Sequence, residues 1–196
     1  MIPAFLLVFV AVVYRIATGL LVQSGSATWL SNFAPLAAIA LCGAVFFPTK
    51  YKFSIPLLAL FLSDLVLNSY YGAALLDPLI LGRYLALIAV GCLGLVIQNR
   101  ASLKTLLPAS IAGSIIFYII SNAFSWLSDP GYVKNAAGLF QALTVGLPAY
   151  SATPSWMFFR NSLVSDLAFT GLFFLAVRFG RSPAPSRAAA ALPRPV

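Results

Sequence analysis

The chain has 196 residues, of which 61% are hydrophobic and 8% charged, and its mean hydropathy is +0.97. Soluble domains carry about 25% charged residues, so this composition excludes a water-soluble domain and leaves one all-α polytopic membrane bundle. The net charge of +8 does not point to nucleic acid, because the basic residues scatter along segment boundaries instead of gathering on one face.

A membrane span needs about 20 mostly apolar residues, and six segments meet or approach that length. The first, residues 2–22, has no basic leader and is interrupted by Arg15, so it reads as a span and not as a cleaved signal. The second, residues 29–47, is entered through Asn32 and Pro35 and stopped by Pro48. The third covers 53–71, the fourth 79–98, the fifth 105–127 and the sixth 157–179. The loop 128–156 is rich in Gly, Pro, Tyr and Asn, and its moderately apolar centre at 136–150 predicts a short interfacial or re-entrant helix. The spans occupy 1–179, and the Pro- and Ala-rich stretch 180–196 reads as a basic, disordered cytoplasmic tail.

Lys and Arg bias sets the orientation. Lys50 and Lys52 separate spans two and three, Arg100 and Lys104 separate four and five, and Arg178, Arg181, Arg187 and Arg194 follow span six. With six spans all of these share one side, so both termini are expected in the cytoplasm. The opposite loops hold Lys134 beside Asp77 and Asp129.

Arg15, Asp64, Arg83, Arg160 and Asp166 lie inside apolar runs. Each costs roughly 2.5–3.5 kcal/mol at a bilayer centre, so they are expected to pair, to face a wet cavity or to bind something. With the orientation above, all five fall in the external half. Polar neighbours recur at helical spacing: Asp64, Asn68 and Tyr71; Ser114, Tyr118, Asn122 and Trp126; Ser162, Asp166 and Thr170; Arg15 and Thr18. Lipid offers such stripes no hydrogen-bond partner, so they face inward. The expected substrate site is therefore an outward-facing cavity built from Arg15, Asp64, Asn68, Tyr71, Arg83, Asn122, Trp126, Arg160 and Asp166. The competing expectation is a scaffold in which Asp64 and Asp166 only neutralise Arg83 and Arg160 and staple the helices.

The chain contains no histidine, and its four acidic residues are all aspartates. That inventory removes Ser–His and Cys–His nucleophile activation and carboxylate-rich metal clusters. No Gly-rich phosphate loop is present. No enzyme activity, metal or cofactor is expected. Cys42 and Cys92 lie in apolar runs without metal-ligand spacing and read as small buried residues. Small residues are paired at Ala34/Ala38, Ala40/Ala44, Gly91/Gly94 and Ala109/Gly113, a spacing that lets helices approach closely.

The runs NFAPLAAIALCGAVFF (32–47), IPLLALFLSDLVLN (55–68) and FRNSLVSDLAFTGLFF (159–174) resemble a family of small bacterial membrane proteins of uncharacterised function that carry a transport label. That family is similar in size, span count and external polar features to the S components of energy-coupling-factor (ECF) vitamin transporters. The resemblance implies a six-helix bundle in the bacterial inner membrane that binds a small, vitamin-like solute near the outer surface for uptake. It also implies an energising partner, an ATPase pair with a transmembrane coupling protein. Ala34, Ala38, Ala40 and Ala44 are the nearest equivalents of the small residues that meet that partner. Some solitary cobalamin-transporting S components ligate cobalt with an external cysteine; here both cysteines fall in the cytoplasmic half.

Overall fold

The computed structural model describes residues 2–72 and 78–180. These fold into seven α-helices: α1 (Ile2–Gln23), α2 (Leu36–Phe46), α3 (Ser54–Tyr71), α4 (Pro78–Ile97), α5 (Leu103–Ser128), α6 (Ala136–Leu143) and α7 (Ser155–Phe179). There is no strand among the described residues. The tail beyond Gly180 and Asp77 lie outside the described residues.

Five helices, α1, α3, α4, α5 and α7, are long and apolar enough to cross a membrane. Their large apolar side chains point outward. Leu103, Leu107, Ile111, Ile115 and Ile119 form an exposed stripe along α5, and Leu58, Phe61, Leu62, Leu65 and Val66 do the same on α3. A soluble protein would not expose contiguous apolar faces of this size. The inward faces carry small and polar residues instead: Ala4, Val8, Ala11 and Thr18 on α1, and Ala59, Ser63 and Asp64 on α3.

The second expected span is not one long helix. Thr28–Leu30 forms a single 3-10 turn, the chain then runs irregularly, and α2 begins only at Leu36. Local chemistry explains the break. Asn32 is the one non-glycine described residue with positive φ, at 57°, and an L-residue in that conformation cannot continue a right-handed helix. Pro35 brings no backbone N–H and disfavours helical geometry at Ala34, so it stands immediately before the new helix. With 11 residues, α2 is about 16 Å long, half a hydrocarbon core.

Short as it is, α2 is the axis of the fold. It packs on α3, α4, α5 and α7, and every residue from Ala37 to Ala44 is buried. Around it α1 packs on α3 and α7, and α5 on α4 and α7, whereas α3 and α4 meet only lightly. The small-residue pairs are used here. A Cβ on Gly94 would stand 2.7 Å from the Leu41 carbonyl oxygen and 2.8 Å from Ala44 Cβ, and one on Gly91 would stand 2.5 Å from Phe53. Ala38, Ala40 and Ala44 are at most 1% exposed. They are therefore not a free face for an energising partner, and Ala34 lines a cavity. In this chain the small-xxx-small spacing serves internal packing.

Helix ends follow their local sequence. Ser102 and Thr105 form a reciprocal capping box at the start of α5. Asn135 caps α6 by accepting from the Gly138 N–H at 2.9 Å. The short helix expected within 136–150 is thus present as Ala136–Leu143. It is held to α5 by the Tyr118 hydroxyl, which donates to the Leu143 carbonyl at 2.8 Å. At the other end of the bundle, Lys52 donates to Gln98, tying the α2–α3 turn to the α4–α5 turn.

Candidate functional site

Three charges meet between α1, α3 and α4. Arg15 Nη2 donates to Asp64 Oδ1 at 2.6 Å, and Arg15 Nη1 donates to Ser63 Oγ. From the other side Arg83 Nη2 lies 3.1 Å from Asp64 Oδ2. That contact is an ion pair without hydrogen-bond alignment, since Asp64 Oδ2 and Arg83 Nε are both buried without a hydrogen-bond partner. The Asp64 carboxylate thus lies between two guanidiniums, and the cluster carries one net positive charge. Arg15 stands eight residues from the end of α1 and Asp64 seven from the end of α3, which places them about 10–12 Å below the rim.

Two cavities adjoin this cluster. The first, of about 270 Å³, is lined by Arg15, Thr18, Gly19, Leu67, Asn68, Tyr71, Asp64, Arg83, Phe158 and the segment from Leu30 to Ala34. The second, of about 230 Å³, is lined by Arg15, Arg83, Asn32, Ala34, Phe117, Ser121, Asn122, Ser125 and Ser162. Arg15, Arg83, Asn32 and Ala34 border both. The unwound stretch before α2 therefore forms the partition between them.

That stretch is fixed to α7. Asn161 Nδ2 donates to the carbonyls of Trp29 at 2.8 Å and Ser31 at 2.9 Å, and Ser162 Oγ donates to the Asn32 carbonyl at 2.8 Å. Irregular backbone at membrane depth is tolerated only where it is buried in protein or lines a wet cavity. Here the stretch is partly buried, with Asn32 exposed, and it borders both cavities. Asn32 also borders a third, smaller cavity with Ser114, Tyr118 and Ser155.

The expected site residues divide into two groups. Arg15, Asp64, Asn68, Tyr71, Arg83 and Asn122 border the two cavities. Trp126, Arg160 and Asp166 do not. Trp126 Nε1 donates to the Val133 carbonyl at 2.9 Å and pins the loop between α5 and α6, while Lys134 donates to the carbonyls of Trp126 and Asp129. Within that loop burial, together with nearby Asp129 and Tyr150, pushes the Tyr132 phenol above its ordinary range.

Arg160 is exposed and donates to its neighbour Asn161, 3.1 Å from Nη2. Among the described residues neither it nor Asp166 forms the ion pair that stapling would require. Asp166 is 2% exposed and accepts from the Ala38 N–H at 2.9 Å and from Ser114 Oγ at 2.8 Å. It caps the N-terminus of α2, where unsatisfied N–H groups and the helix dipole both favour a carboxylate. Backbone donors leave no letter in the sequence, so this role could not be read there. Asn32 and Ser162 were visible as polar residues, but only the broken helix gives them a shared wall.

Among the described residues no group of three His, Cys, Asp or Glu could hold a metal ion. Cys42 is buried and Cys92 exposed, and both are free thiols. Comparison with curated proteins and with solved structures finds no match. The profile of the family described as "Family of unknown function (DUF6580)" matches residues 1–187, and the chain belongs to that family.

Proposed function

We propose that this protein is the solute-binding membrane component of a small-molecule uptake system, and that it has no enzymatic activity of its own. The observation that carries this reading is the break before α2. A helix interrupted at membrane depth leaves polar backbone beside two cavities, and the same walls hold a charge cluster with one positive charge in excess. Transport proteins build solute sites from such discontinuous helices. The two adjoining cavities together fall within the ~300–1,000 Å³ usual for small ligands.

In this reading α2 and its irregular approach make a sixth crossing, both termini lie in the cytoplasm of a bacterial inner membrane, and the cavities open outward. Lys50, Lys52, Arg100, Lys104 and Arg178 then border the cytoplasm. On the same reading the protein works as an ECF S component does, taking up a vitamin-like solute with a cytoplasmic ATPase and coupling protein as energising partner. That partner docks elsewhere than on the small residues of α2, which the fold itself uses.

The scaffold alternative draws support from Asp166, which does hold helices together. It gives no account of the cavities or of the surplus charge. The deciding experiment is small-molecule mass analysis of the isolated full-length protein, with Asn122→Ala in parallel. Asn122 spends its amide on the Tyr118 carbonyl of its own helix at 2.9 Å, so truncation leaves the packing in place. Wild type should carry a solute and the variant should lose it at unchanged stability. Equal content in both, or none in either, would favour the scaffold.

A further inference from the structure

The charge and hydrogen-bond pattern of these walls also defines the chemistry of the solute, an inference that rests on the binding reading above. The two guanidiniums are not equivalent. Arg15 donates to both Ser63 and Asp64, and its side chain is 11% exposed. Arg83 is 29% exposed, reaches Asp64 only through Nη2, and keeps a buried Nε without a partner. It stands on the partition of both cavities. The other described carboxylates are engaged elsewhere, Asp166 at the start of α2 and Asp129 with the Gly131 N–H.

The wall of the second cavity is the complement of a donor-bearing molecule. A serine hydroxyl has one proton to give and two lone pairs. Ser121, Ser125 and Ser162 each give theirs to a backbone carbonyl, of Tyr118, Ser121 and Asn32 respectively. Their lone pairs are left for the cavity, and Asn122 adds its Oδ1.

We propose that Arg83 is the anion anchor of the site and that the solute is a small hydroxylated monocarboxylate. Its carboxylate lies against the guanidinium edge of Arg83, and its hydroxyl groups donate to Ser121, Asn122, Ser125 and Ser162. A single surplus positive charge matches a monoanion, whereas a phosphate ester brings about 1.5–2 negative charges. A planar carboxylate also fits the guanidinium fork, which an ammonium would not reproduce.

The test is thermal stabilisation of the full-length protein in detergent by gluconate, threonate and lactate. Hexanoate, sorbitol, gluconamide and inorganic phosphate are the comparison compounds. The hydroxy acids should raise the melting temperature and the comparison compounds should not. Arg83→Gln should abolish the shift while leaving Arg15 and Asp64 as a neutral pair, so the variant still folds. Arg83→Lys should weaken binding about tenfold or more, the loss expected for one charge-assisted hydrogen bond. Arg160→Gln should bind as wild type does.

Equal stabilisation by sorbitol, gluconamide or phosphate would overturn the proposal, as would no stabilisation by any hydroxy acid. Survival of the shift in Arg83→Gln would overturn it too, and so would carboxylate binding confined to Asp77→Asn. Uptake of a neutral or cationic solute that requires Asn122 would overturn this inference and leave the binding reading standing. Arg83-dependent carboxylate binding by a protein whose cells import nothing would support the inference and remove the uptake role.

Discussion

Asp166 Oδ1 accepts the backbone N–H of Ala38 at 2.9 Å, across 128 positions of sequence. A charge that reads from the sequence as a solute ligand or an arginine partner is instead the cap of the central helix. Replacing it with alanine leaves the Ala38 N–H without its acceptor, while the Ser114 hydroxyl still has the Ser110 carbonyl at 3.0 Å. A buried donor left unsatisfied costs about 1–3 kcal/mol, and loss of an N-cap about 0.5–2 kcal/mol. Both figures describe the same lost bond, so Asp166→Ala should destabilise the protein by roughly 1–3 kcal/mol, and Asp166→Asn, which keeps one carbonyl oxygen, by less. Thermal unfolding in detergent measures both. Wild-type stability for Asp166→Ala would show that α2 is not held from α7.

The Arg15–Asp64–Arg83 cluster predicts an asymmetry. Asp64→Asn leaves a buried Arg15 and a half-buried Arg83 guanidinium facing each other with no counter-charge, and breaking a buried pair costs about 3–5 kcal/mol. Arg83→Gln leaves Arg15 and Asp64 still bonded at 2.6 Å, so its cost should be well under half of that. Folded yield and melting temperature should rank wild type, then Arg83→Gln, then Asp64→Asn. If Arg83→Gln proved the worse of the two, the central placement of Asp64 would be wrong.

Much of the fold follows from hydrophobic length and small-residue spacing, and so does the residence of Arg15, Asp64, Asn68, Tyr71, Arg83 and Asn122 on cavity walls. Which arginines meet Asp64 does not. Arg160 and Arg83 both lie in apolar runs, and their partners depend on how each helix is rotated, which no local pattern states. Arg160 faces outward to Asn161 and Arg83 faces Asp64. The broken second span was half legible. Asn32 and Pro35 mark its start, but counting apolar residues from 29 to 47 weighs them too lightly against the run that follows. Ala38, Ala40 and Ala44 show the same ambiguity, because small spacing says that something approaches closely and not what.

Gly94 and Gly171 separate close approach from simple helix propensity. A Cβ on Gly94 would stand 2.7 Å from the Leu41 carbonyl oxygen, whereas one on Gly171 meets nothing within 4 Å. Gly94→Ala forces α4 away from the backbone of α2 and should cost about 1–3 kcal/mol, as overpacking does. Gly171→Ala meets open space and should be neutral or stabilising by up to about 1 kcal/mol through helix propensity. Paired melting curves test both. Equal effects at the two positions would mean that α2 and α4 do not pack as closely as Gly94 implies.

The six-crossing topology predicts opposite labelling at the two ends of the bundle. Asn135 lies at the start of α6 and Ser102 at the start of α5. In a background with Cys42 and Cys92 replaced by alanine, a membrane-impermeant thiol reagent applied outside intact cells should modify Asn135→Cys and spare Ser102→Cys. After lysis both should react. The contrast between these two positions rests on α5, which separates them, whereas the side of the N-terminus rests on α2: its 11 residues span about half the bilayer, and the irregular chain from Ser31 to Pro35 has to cover the remainder inside the bundle. If that segment stays at the surface and α2 does not complete a crossing, the chain has five spans and its N-terminus lies on the side opposite to Arg178. Lys50, Lys52, Arg100, Lys104 and Arg178 still share one face in that case, and only the N-terminus changes side. Reaction of Ser102→Cys in intact cells while Asn135→Cys is spared would remove the outward opening of the cavities. The proposal that they take up solute from outside would fall with it.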